Sequence, residues 1–379
     1  MAFEDILNQE IVKKILQGAV KEQRIAHSYL FTGSPGIGKW FTAIEFAKML
    51  NCLKVKENPR GECLSCKKIN RLAHPDLRLI FPLPPPSPGK KSKNEKEKEE
   101  QNNRIKFLNE KISSPYKIVK FEKPGSISID EMRSAQRNLL LTPVEGRYKV
   151  LIVQEPEKMS TEAQNCFLKT LEEPPKDSLL LLLSSEPEKL LSTMVSRCQR
   201  IRFSRIKEEL IAGELIRSLS LEKDKAFFYA RLSEGSIGKA LSLAEEDKAE
   251  LRSRVVEFLK IVLGEDRVRL IDFVSNIVTE YERESILEFF SFLSGFLRDI
   301  FIFLEIRDKE RILDPALREE IEFLVISFDE KEKIQRALEL TEKIRLDILG
   351  HVNSKLALLN LGFEFKNITK TSCGKKLFT

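Results

Sequence analysis

The 379-residue sequence has no uncharged apolar run approaching the roughly 20 residues that would cross a bilayer. It also lacks a basic-then-apolar start. Met1 to Glu10 carries acids, which argues against an export signal and gives the expectation of a cytoplasmic location. Cysteine is sparse: six residues in a chain this long cannot form a dense disulfide framework. Neither sign of charge dominates. A net charge of +6, with lysine and glutamate alternating over much of the chain, is compatible with a nucleic-acid partner but does not demand one. With 42% hydrophobic and 32% charged residues, the composition is that of a globular protein with a heavily charged surface. The length suffices for two or three domains, each with its own core.

One further absence is more specific. Gly33-Ser34-Pro35-Gly36-Ile37-Gly38-Lys39 is an intact G-x-x-x-x-G-K phosphate-binding loop, but Trp40 stands where Ser or Thr would hold Mg²⁺. The glycines let backbone N–H groups approach phosphate and Lys39 neutralises it. Thr42 cannot substitute, because two residues along a helix it points about 200° away. The flanks fit the motif. Ser28 to Thr32 reads as a strand and Phe41 to Leu50 as a helix with apolar residues at helical spacing.

A second magnesium anchor should be an acid at the end of a buried strand. Lys149-Val150-Leu151-Ile152-Val153 ends instead on Gln154, a neutral amide ill suited to Mg²⁺, followed by Glu155. Glu155 either orients water or is a strand-end surface acid. With both anchors changed, self-hydrolysis is not expected.

The remaining pattern organises the chain. Leu77 to Phe81 reads as a strand, and Leu179 to Leu183, like Val150 to Val153, as a strand buried on both faces of a parallel sheet. Ser128-Ile129-Asp130-Glu131 is a capping box opening a helix through Leu139. A helix from Thr161 to Leu171 is stopped by Pro174-Pro175, and Arg200 to Phe203 is a last strand. This alternation predicts a doubly wound α/β core. Residues 82–123 begin with prolines and continue as a Lys/Glu tract, which predicts a disordered insertion; a basic DNA-binding arm is less consistent with the interspersed glutamates. After about Ile206 the pattern is helical to about Phe365, with breaks at Gly235-Ser236 and Gly264-Glu265-Asp266.

Several stretches together resemble the delta-prime type of bacterial DNA polymerase III clamp-loader subunit, within the AAA+ clamp-loader family. They are Arg24 to Phe31 running into the loop, His74-Pro75-Asp76, Asn165 to Pro175 with its Leu-Glu-Glu-Pro-Pro, and Ser196-Arg197-Cys198. They cover most of residues 1–205. Asn353 to Leu358 is a weaker echo of the family's collar. The resemblance implies an AAA+ core over 1–205 with the 82–123 insertion. A helical lid would follow over 206–248, a helical collar over 249–366 and a tail over 367–379.

It also implies roles. Arg197 would be an arginine finger entering a neighbouring subunit's ATP site, although by itself it reads as a surface residue near a helix end. The chain would be a stationary subunit with no autonomous catalysis. Its partners would be gamma/tau and delta subunits in a hetero-pentamer, the sliding clamp, and primer–template DNA through its phosphates. An active gamma/tau-type motor and a non-replicative AAA+ scaffold are the alternatives. The implied nucleotide site, holding ATP or nothing, comprises Gly33, Gly36, Gly38, Lys39, Glu155 and Lys239, the last standing where a sensing arginine would be. Cys52, Cys63 and Cys66 resemble the family's zinc module, with Ile69 in place of the fourth cysteine and His74 as an alternative ligand.

Overall fold

The computed structural model describes residues 3–54, 61–85, 93–121, 123, 125–245, 249–264, 266–306, 312, 325, 328, 330–350 and 352–370. The chain divides into two compact units, one of residues 1–211 with 233–242, the other of 212–232 with the residues from 243 onward. The 206–248 segment, expected as a lid, is therefore shared between them.

The first unit is built on five parallel strands: β1 (Ser28–Thr32), β2 (Leu77–Ile80), β3 (Lys149–Gln154), β4 (Ser178–Ser184) and β5 (Gln199–Arg202). Their order across the sheet is β2-β3-β4-β1-β5. Leu182 lies opposite both Leu30 and Val153, so the central strands share one apolar register. Both faces are covered, which is why the leucine run of β4 shows no alternation. Helices α1 (Glu10–Lys21), α2 (Lys39–Asn51), α3 (Leu64–Asn70), α4 (Lys93–Ser113), α5 (Ile129–Leu139), α6 (Thr161–Glu172) and the short α7 (Ser192–Val195) belong to this unit. Ser128 and Ser160 cap α5 and α6 by accepting the N–H groups of Glu131 and Ala163, so the capping box read from sequence forms. One face of the sheet packs Leu151, Val153, Leu180 and Leu182 against Met132, Ala135, Ala163 and Phe167 of α5 and α6.

Helix α4 corrects the expectation of a disordered 82–123 segment. Its overall composition is strongly polar, but Arg104, Phe107 and Lys111 recur at helical spacing and face the core, where Phe107 and Lys111 are buried. Phe107 stacks on Phe81 with ring centroids 3.8 Å apart, and the Arg104 guanidinium lies over the same Phe81 ring while pairing with Glu131 at 3.0 Å. One aromatic and two long cationic stems are enough to seat the helix, whereas composition averages them away. Residues 86–92 lie outside the described residues.

The chain continues through α8 (Glu208–Leu219), α9 (Lys223–Leu232) and α10 (Ile237–Glu245). The second unit is helical, with α11 (Ala249–Leu263), α12 (Arg267–Glu280), α13 (Arg283–Ile306), α14 (Lys331–Leu349) and α15 (Ser354–Lys370). Phe258 centres its core, meeting Phe273, Phe289 and Phe365. Asp266 caps α12 at the break expected there. No described helix is long and apolar enough to cross a membrane.

Candidate functional site

The phosphate loop leaves β1 at Gly33 and enters α2 at Lys39, at the carboxyl ends of the strands where open parallel sheets place their sites. Gly36 and Gly38 have φ of +70° and +110°, in the left-handed region a side chain disfavours. Lys39 is only 4% exposed. Its ammonium donates to the carbonyls of Gly33 and Ser34 (the latter at 2.9 Å) and to Ser185 Oγ at 3.1 Å. All three ammonium protons therefore have partners within the chain.

The loop is packed against from two sides. Trp40 is buried edge-on to Phe107, ring centroids 5.5 Å apart, and the Lys111 ammonium stands 5.5 Å from the indole centroid. Tyr116, just beyond α4, lies so close to Gly38 that a Cβ there would meet its ring at 3.1 Å. From the other side comes the 233–242 strip. Ser236 Oγ donates to the Pro35 carbonyl at 2.6 Å, and the Gly238 N–H donates to the Gly36 carbonyl at 3.0 Å. A Cβ on Gly36 would stand 2.7 Å from Gly238 Cα. With Trp40 and Gln154 at the two anchor positions, the residues present offer Mg²⁺ neither a hydroxyl nor a carboxylate there.

At the end of β3, Gln154 donates to Glu155 Oε1 at 3.4 Å, and Glu155 turns the chain with φ of +53°. Glu157 is the acid that supports the site: its Oε1 accepts the N–H of Ser185, whose hydroxyl in turn accepts from Lys39. Lys239 pairs with Glu234 at 4.0 Å, and its N–H is capped by Ser236. Of the residues expected at a nucleotide site, Gly33, Gly36, Gly38 and Lys39 converge. Glu155 stands at the adjoining strand end, and the Lys239 ammonium is directed to Glu234. Ser236 lies in the Gly235 to Leu241 stretch that resembles a nucleotide-sensing element, whereas Ser185, Glu157, Phe107, Lys111 and Tyr116 were missed. Only the helical spacing of Arg104, Phe107 and Lys111 could have signalled any of them.

Burial sets the protonation of the two lysines. Desolvation lowers Lys39 to about 8 against the opposing pull of Glu157 and Glu155. Desolvation likewise lowers Lys111 to about 8, with Glu155 opposing and Lys39 reinforcing the shift. Both folded values lie below the ordinary lysine value of about 10.4, so between about pH 8 and pH 10 the unfolded chain binds more protons. Stability therefore rises with pH across that window, by up to roughly 3 kcal/mol per lysine. Urea unfolding of the protein at pH 7.5 and pH 9.5 should show this rise, and Lys111→Met should remove about half of it. Equal slopes in the two proteins would refute the assignment to Lys111.

Arg197 occupies the other end of the sheet. It precedes β5, and its carbonyl accepts the Ser28 hydroxyl at 2.7 Å, which places it beside the start of β1. Gly33 follows the end of β1, about 16 Å away for five residues at about 3.3 Å each. The guanidinium, 35% exposed, is held by Glu172 Oε1 at 2.6 Å and by the Thr193 carbonyl at 2.9 Å. Glu172 is the first glutamate of the Leu-Glu-Glu-Pro-Pro stretch.

The family profile described as DNA polymerase III, delta subunit, matches residues 8–207, more than half of the chain. The chain belongs to that family. It is 28% identical over 260 residues to DNA polymerase III subunit delta′ of Bacillus subtilis, covering 67% of this chain and 65% of that protein. It is 30% identical over 250 residues to subunit tau of the same bacterium, covering 64% of this chain and 37% of that protein. With subunit tau of Escherichia coli the identity is 28% over 250 residues, 64% of this chain and 32% of that protein. The chain thus spans less than two thirds of each relative's own length. Among solved structures, a gamma-subunit-related protein of Thermotoga maritima is similar at 15% identity with a TM-score of 0.38, covering 94% of this chain and 99% of that one.

In this delta-subunit family member the three cysteines also converge. Cys52, Cys63 and Cys66 are buried with their sulfur atoms all within 4.8 Å of one another. No fourth His, Cys, Asp or Glu joins them among the described residues. Ile69 is buried, and His74 is committed elsewhere: its Nδ1 accepts the Asp76 N–H and its Nε2 meets Ser65 Oγ, both at 3.1 Å. Burial lowers the His74 pKa, against the opposing pull of Asp76. The donor set therefore falls one ligand short of a closed structural zinc site.

Proposed function

We propose that the chain is a stationary subunit of a DNA polymerase III clamp loader. It does not hydrolyse ATP itself and lends Arg197 to the ATP site of a neighbouring subunit. One observation carries the reading: the exposed arginine is held at the end of the sheet opposite the chain's own phosphate loop, so any phosphate it reaches belongs to another molecule. A guanidinium suits this role because it stays ionised and presents a rigid fork of donors. The neighbour would be a gamma/tau-type ATPase, delta would complete a hetero-pentamer, and the assembly would load a sliding clamp on primer–template DNA through phosphate contacts. The helices after residue 248 would form the collar joining the subunits, and 206–248 the lid.

Mg²⁺-dependent ATP hydrolysis by the purified chain tests this directly. Turnover should not exceed that of a Lys39→Ala control. Adding the chain to a gamma/tau-type subunit, delta, clamp and primed DNA should raise turnover. Hydrolysis by the chain alone that disappears in Lys39→Ala would make it a motor and defeat the proposal.

A further inference from the structure

The segment from Arg104 to Lys117 has no part in the arginine's role, yet its Tyr116 packs against the phosphate loop at Gly38. Lys111 carries its charge into the core, donates to the Lys117 carbonyl at 2.5 Å, and lies 5.8 Å from the Phe107 ring centroid as well as over Trp40. Tyr116 is held on three sides. Its hydroxyl accepts the Leu7 N–H at 3.0 Å, its ring meets Phe41 edge-on at 5.4 Å, and the same ring covers Gly38. Its carbonyl lies 2.3 Å from where a Cβ of Gly238 would be, so Gly238 is wedged between Tyr116 and Gly36.

We propose that residues 104–117 are the chain's own occupant of its phosphate cradle, a built-in plug that takes the place of nucleotide and holds the 233–242 strip closed. A bound phosphate would otherwise have to supply any link between the loop and this strip. Here Tyr116 and Gly238 make that contact from within the chain, Tyr116 against Gly38 and Gly238 against the Gly36 carbonyl. The strip therefore stays closed whether ATP is present or absent. A subunit presenting Arg197 would then keep one conformation throughout its neighbour's cycle. The plug deepens the stationary reading and rests on it, but the two fail separately.

The test uses the full chain with Mg²⁺ and a fluorescent methylanthraniloyl-ADP probe, together with amide hydrogen exchange. The wild type should show no saturable probe binding up to about 1 mM. Amides of residues 33, 34, 36–38 and 236–240 should be protected and unchanged by Mg²⁺-ATP. In the triple variant Phe107→Ala, Lys111→Ala, Tyr116→Ala those amides should exchange at least roughly tenfold faster, while β3 and β4 keep their protection. Should the triple variant lose sheet protection as well, Tyr116→Ala alone decides. Faster exchange confined to the loop and strip supports the plug, and wild-type exchange there overturns it. Saturable probe binding by the wild type without turnover would overturn the plug and leave the stationary reading standing. Turnover abolished by Lys39→Ala would overturn both.

Discussion

With Arg197 replaced by alanine, a reconstituted complex should lose about 10³-fold of the turnover at the neighbouring site proposed above for this arginine, or about 4 kcal/mol of transition-state stabilisation. The loss should come from the missing charge and not from misfolding. The guanidinium and Glu172 are both partly exposed, and pairs of that kind contribute under about 1 kcal/mol to stability. Arg197→Lys should restore little, since an ammonium lacks the planar fork that spans two phosphoryl oxygens. The measurement is ATP hydrolysis by the complex under single-turnover conditions, with assembly checked by gel filtration. A rate within about threefold of wild type would remove Arg197 from the reaction.

The second large effect concerns the core. Asp76 lies just before β2, and its two carboxylate oxygens accept three backbone N–H groups, from Val144, Glu145 and Gly146, at 2.7–2.8 Å. The buried Lys149 ammonium lies 3.7 Å from the same carboxylate. Asp76→Ala should therefore cost about 4 kcal/mol, because it leaves three amides and a buried cation without their partner. Asp76→Asn, which keeps one acceptor oxygen, should cost about half as much. Burial alone would raise the Asp76 pKa, but the three N–H groups and then Lys149 outweigh it and hold the carboxyl below its ordinary value. With the folded pKa depressed, this stabilisation is fully present above about pH 4 and is lost as pH falls through the folded value. Urea unfolding at pH 7 and again in acid checks both points. A loss under about 1 kcal/mol at pH 7 would show that the clasp is not a stability element.

The same residue shows how far the sequence could be read. His74-Pro75-Asp76 stood out only as part of a resemblance; its physical work, clasping a loop 68 to 70 residues away, has no local signature. Local chemistry was legible. The glycine loop, the serine cap at 128 and the uninterrupted leucines of β4 each follow from a few neighbouring residues. The plug was not, because it depends on three side chains in a tract whose average is strongly hydrophilic. Its effect also arises from Tyr116 meeting Gly38 and Gly238, glycines far from it in the chain on either side. Gly238 in particular reads as an ordinary helix start until the backbone pressed against it is known.

The two compact units are interleaved along the chain, since residues 212–232 leave the first unit and 233–242 return to it. A gene fragment ending at residue 211 would encode the sheet without Ser236 and Gly238, and so without the strip that closes over Pro35 and Gly36. Neither unit could be exchanged between relatives by a single crossover. Recombination would have to respect all three passages at once, so the two halves of this protein are expected to share one line of descent.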